Sequence, residues 1–75
     1  MLMPMSEIVF NVEQEEDGGY SAAAVDHHIY TQGESWQDLK KNIQEAIEAH
    51  FYEDTANKPG KVRLHLVHDE ELLVA

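Results

Sequence analysis

Five histidines and fifteen acidic side chains in 75 residues are the groups that could do chemistry in this chain. Histidine ligates metals or shuttles protons, and carboxylates bind hard cations or act as general acids and bases. Each use needs a spacing that brings several such groups to one point. His65 and His68 are three apart in a segment that reads as a strand, which sends them to opposite faces. His27 and His28 are adjacent in a turn and diverge as well. Neither a zinc-finger spacing nor a helical His-x3-His pair occurs, so no metal site is expected. His50 falls in the middle of a helix's apolar face, the place of a hydrogen-bonded or partly exposed core histidine. The acid runs Glu13-Gln14-Glu15-Glu16-Asp17 and Asp69-Glu70-Glu71 read as solvated edges, because catalytic carboxylates must converge from several elements. Ser21, Ser35 and the threonines lack His and acid partners at usable spacing. Gly18-Gly19 precedes a strand and does not open a helix, so it is no phosphate loop. So short a chain is also small for a closed substrate pocket. A non-enzymatic chain without a cofactor is expected.

The elements that would carry these groups follow from periodicity. Ile8, Phe10 and Val12 alternate to one side of a strand over Ile8–Gln14, with Val9, Asn11 and Glu13 on the other. Asp17-Gly18 tolerates the positive φ of a two-residue hairpin turn, and Tyr20–Val25 is the return strand. Its three alanines would let a helix approach closely. Asp26-His27-His28 makes another tight turn, followed by a short strand Ile29-Tyr30-Thr31 closed by Gln32-Gly33-Glu34. Ser35 is a good N-cap, with Asp38 three residues on as the shorter acid of a capping box. The helix then runs from about Trp36 to Glu53, with Trp36, Leu39, Ile43, Ala46, Ile47, His50 and Phe51 on an apolar arc of roughly 140°. Lys41, Glu45, Glu48 and Tyr52 lie opposite. Asp54–Gly60 is a loop. Lys61–His68 alternates as a last strand, with Val62, Leu64 and Leu66 toward the helix and Arg63, His65 and Val67 outward. Residues 1–75 thus read as one α+β domain of β-β-β-α-β order, a small sheet with one helix on one face. The crossover through the helix is long enough to make the third and fourth strands parallel.

Composition narrows the function classes. Fifteen acids against five Lys and Arg leave a formal charge of −10, which argues against direct nucleic-acid binding and favours a basic partner. A domain of this length buries only roughly 60–65% of its unfolded surface, so self-association is expected to help stabilise it. No cysteine is present for disulfides, thiolate metal clusters or nucleophilic catalysis, which suits a reducing cytoplasm. No apolar run approaches the roughly 20 residues of a membrane span, and Met1-Leu2-Met3-Pro4-Met5 lacks the regions of a signal peptide.

Asp17-Gly18-Gly19-Tyr20 after a strand, then Thr31-Gln32-Gly33-Glu34-Ser35 opening a helix, resembles the HicB-like antitoxin family. The helix residues Asp38-Leu39, Asn42 and Glu45-Ala46 are similar to its pattern too, and the resemblance spans roughly residues 7 to 70. Where that family has a Pro-Asp-Leu-Pro-Gly-Cys segment, this chain reads Val25-Asp26-His27-His28-Ile29-Tyr30, and only Asp26 keeps the pattern. The resemblance implies a partial ribonuclease-H-like fold of three strands, a helix and a fourth strand. It also implies neutralisation of a small, basic, RNA-cleaving toxin of the HicA type, whose active surface the antitoxin covers. HicB proteins typically add a C-terminal operator-binding domain. The chain as read stops at Ala75, so no DNA-binding domain is expected. The carboxylates of a ribonuclease H site have no counterpart set here, so nuclease activity is not carried over.

One helix cannot cover both faces of the sheet. The outer face and the apolar tail Leu72-Leu73-Val74 are therefore the expected surface for a second copy or a partner, with Val9, Tyr30, Arg63, His65, Val67 and Leu72 as its residues. Two other readings stay open. One is a HicB-like homo-oligomer with another ligand. The other is a small metal-dependent hydrolase using acids near Asp17 or Asp26 with His27 or His28.

Overall fold

The computed structural model describes residues 6–68 and 71–74. Residues 1–5, Asp69, Glu70 and Ala75 lie outside the described residues, and with them the opening methionines and most of the second acid run. Strands β1 (Glu7–Gln14), β2 (Tyr20–Ala24) and β3 (Tyr30–Gly33) precede helix α1 (Trp36–His50). A single 3-10 turn (Thr55–Asn57) and strand β4 (Lys61–Val67) complete an α+β domain with the expected element order. Among the described residues no helix is long and apolar enough to cross a membrane.

The hairpin between β1 and β2 is longer than a two-residue turn. Gln14 pairs with Tyr20, the Gly18 N–H donates to the Glu15 carbonyl at 3.0 Å, and the Glu15 N–H donates to Gly19 at 2.6 Å. Only Gly18 takes a positive φ, +94°, which matches a three-residue connection with a glycine bulge. The Asp17 carboxylate accepts from the Gly19 N–H at 3.0 Å and holds the turn. The alanine run of β2 is strand, as its flanks predict, and stops one residue short of Val25. Pairing carries β3 on to Gly33, past the expected end at Thr31.

Helix α1 starts where the cap predicts: Ser35 Oγ accepts from the Asp38 N–H at 3.1 Å. It ends three residues before Glu53, with Phe51 as its cap. Beyond it the Asp54 N–H donates to the Phe51 carbonyl at 3.1 Å, and the Asp54 carboxylate accepts from Asn57 Nδ2 at 3.0 Å. Such local bonds compete with further helix and turn the chain back toward the sheet.

The strand order is β3-β2-β1-β4, with β1 antiparallel to β2, β2 antiparallel to β3, and β4 parallel to β1. Hence β4 runs in the direction of β3, as expected, but from the opposite edge of the sheet. Ile8, Phe10 and Val12 of β1 meet Leu39, Ile43 and Ile47 of α1 in the core, joined by Ala22, Ile29 and Phe51.

The helix does not cover β4. Register places Val62, Leu64 and Leu66 beside Ile8, Phe10 and Val12, on the helix side of the sheet. Yet α1 buries the β1 and β2 side chains beneath it and leaves most of β4 uncovered. Leu64 packs at the margin of the core, while Val62 is 37% and Leu66 48% exposed. The reason is dimensional: a helix about 10 Å wide spans about two strands spaced ~4.8 Å apart. Its first turn rests on the backbone of Gly33 at the β3 edge, which holds the helix start close to that side of the sheet.

Candidate functional site

Five of the six residues expected at a partner surface share one face. The rows Val25–Val9–Arg63, Tyr30–Ala23–Asn11–His65 and Gln32–Ser21–Glu13–Val67 run across the sheet on the side away from α1. Val9 is half-buried in the middle of this face, Tyr30 is 65% exposed at one edge, and Val67 is exposed at the other. His65 and Arg63 are exposed beside it on β4. Leu72 is not on this face by register; it follows β4 in the exposed segment Leu72-Leu73-Val74.

Charge on the outer face is organised around Glu7. Arg63 donates to its carboxylate from Nε at 3.0 Å and from Nη2 at 3.4 Å, and Lys61 Nζ lies 3.7 Å away. The Arg63 hydrogen bond, reinforced by the two positive charges, holds the Glu7 carboxyl below the usual glutamate value. The same bond raises Arg63 further. Sequence reading missed this trio because its members are brought together only by parallel pairing of β1 with β4.

The groups considered for chemistry disperse. Asp17 sits at the hairpin tip before β2, and Asp26, His27 and His28 follow its other end, so the strand separates the two acids. An open cleft of about 660 Å³ between the hairpin and the start of α1 is lined by Glu15, Asp17, Glu34, Asp38, Lys41 and Asn42. The residues Glu13 to Asp17 are all exposed, as a solvated edge should be. Among the described residues no three His, Asp or Glu side chains are placed to hold a metal ion.

His50 corrects an expectation. It is exposed and outside the core, on the flank of the buried Ile47 and Phe51. Its ring stands edge-on to Phe51, with centroids 4.9 Å apart, and to His27 at 5.7 Å. His27 also meets Phe51 at 5.4 Å, so the bend after β2 is closed over the helix end by rings. No spacing in the sequence announces this contact, since 23 positions separate its two histidines. The arrangement offers packing surfaces and paired charges.

Comparison with known proteins adds two relatives. A "UPF0150 protein" of Thermotoga maritima is 37% identical over 68 residues, covering 91% of this chain and 93% of the relative. Another "UPF0150 protein", from Archaeoglobus fulgidus, is 44% identical over 46 residues, 61% of this chain and 68% of the relative. No family model and no solved structure matches the chain.

Proposed function

The chain belongs to the UPF0150 family, and from that premise we propose that it is a protein-binding module of the HicB-like antitoxin kind. It acts by covering the active surface of a small basic RNA-cleaving protein, with no chemistry of its own. The observation that carries this reading is the uncovered sheet face, where Val9, Tyr30 and Val67 lie within a chain of net charge −10. Opposite charge speeds encounter with a basic partner, and apolar contacts on the face hold the complex. Exposed apolar groups on so acidic a surface support binding better than solvation alone.

The test is capture from the source cell's lysate on immobilised chain, at low and moderate salt, with mass spectrometry of what is retained. A small basic protein held at moderate salt, whose RNA cleavage the chain suppresses, is the expected result. The substitution Tyr30→Asp should weaken capture while leaving the fold intact, because Tyr30 is largely exposed. Recovery of the chain alone, or a captured protein whose RNA cleavage continues undiminished, would overturn the reading.

A further inference from the structure

The two edges of the sheet are not equivalent. At the β3 edge, Asn42 Nδ2 on α1 donates to the Gln32 carbonyl at 2.7 Å, so the helix occupies part of the outward backbone. The β4 edge is longer, seven residues, and α1 does not reach it. The Lys61 N–H donates to Ser6 of the neighbouring chain segment at 3.1 Å. Backbone groups alternate along a strand, so Lys61, Arg63, His65 and Val67 face β1, while Val62, Leu64 and Leu66 direct their N–H and C=O groups outward. Those same three residues carry the apolar side chains on the helix side of β4.

We infer that β4 pairs antiparallel with β4 of a second copy, about a two-fold axis at Leu64. This register sets Leu64 opposite its own copy and Val62 opposite Leu66, twice. All three outward backbone positions then bond across the seam, giving about six inter-chain hydrogen bonds in a continuous eight-stranded sheet. The exposed Val62 and Leu66 cover one another at the place where the helix ends its cover. Shifting the axis by one residue puts Arg63 against Arg63, or His65 against His65, and shortens the pairing.

Charge permits a second copy at this edge. The segment Lys61-Val62-Arg63-Leu64-His65-Leu66-Val67 has no acid in a chain that carries fifteen. Two copies can meet here without opposing carboxylates, and the Glu7 carboxylate already offsets Lys61 and Arg63. The bulk of each copy remains strongly negative, so added salt should tighten this dimer. Binding of a basic protein to the outer face should weaken with salt, which separates the two events.

Because the chain contains no cysteine, a single introduced one reports the register. Leu64→Cys should be linked to its own copy by a short thiol-reactive bis-maleimide, since directly opposite positions of a hydrogen-bonded pair lie about 5.5 Å apart. Val62→Cys should not, because its own copy is displaced along the seam. Sedimentation equilibrium of the purified chain should give twice the chain mass. Leu66→Pro removes an outward N–H and, among the described residues, no internal bond, and should weaken dimerisation about 100-fold with an unchanged circular dichroism spectrum. A monomeric wild-type chain overturns the proposal, as does a Val62→Cys link that outpaces the Leu64→Cys link. A folded Leu66→Pro variant that stays dimeric overturns it too; should that variant not fold, the cysteine pair decides. These readings use the purified chain alone, so failure to capture a basic protein leaves them untouched.

Discussion

A Cβ added to Gly33 would lie 2.4 Å from the backbone nitrogen of Leu39 and 2.7 Å from its Cα. The end of β3 and the first turn of α1 therefore touch backbone to backbone. Leu39 itself is fully buried, so this contact anchors the helix over the β3 side of the sheet. Gly33→Ala must push the two elements apart, at a cost of about 1–3 kcal/mol. For a domain this small that is a large share of the total stability. Urea unfolding should show a lower midpoint with the same slope. An unshifted midpoint would mean that the helix tolerates displacement and is not anchored here.

Ser35 accepts the Asp38 N–H, one of the otherwise unpaired donors of the first turn. Ser35→Ala should cost about 1 kcal/mol, and Ser35→Asp should restore most of it. The thermal midpoints of the three proteins check this ordering. If alanine and aspartate behaved alike, the cap would contribute nothing.

Ile43 is 2% exposed between α1 and the sheet. Ile43→Asp buries an unpaired charge and should abolish cooperative unfolding at 25 °C. Ile43→Val is the companion substitution and should cost only about 1 kcal/mol. A cooperative melt of the aspartate variant would sink the claim that this position lies in the core.

Glu7 and Arg63 link the two parallel strands by charge. The folded carboxyl holds its proton less readily than an ordinary glutamate, first because Arg63 hydrogen-bonds to it. Its contribution is thus present above the ordinary glutamate range and fades as pH falls through that range toward the lower folded value. Glu7→Gln should lower stability most near neutral pH and least in acid, so that the acid limb of stability against pH flattens. Urea midpoints at a series of acidic pH values would show it; identical limbs in both proteins would refute the linkage.

Local signals carried much of the fold. The alternation of Ile8, Phe10 and Val12 marks a half-buried strand, and Ser35 before the apolar periodicity of Leu39, Ile43 and Ile47 marks the helix start. Both depend on neighbours within a few residues, so both are legible in one dimension. The helix end was less so, because Asp54 competes for the backbone through its bond with Asn57. The hairpin was found at Gly18, but its length depends on the pairing of Gln14 with Tyr20. The candidate face was legible in its alternation, since Val9, Arg63, His65 and Val67 fall at outward positions of β1 and β4.

Sequence by itself determined the element order, the apolar faces and the acidic composition. Tertiary structure alone decided that β4 joins β1 at the edge opposite β3, that Glu7 meets Lys61 and Arg63, and that His27 meets His50. It also decided that the helix stops short of Val62 and Leu66. The physical reason is common to these outcomes. Periodicity states which side of an element is apolar, while lateral placement follows from long-range pairing and from the close approach at Gly33. A helix spans about two strands, and the choice of which two leaves β4 open.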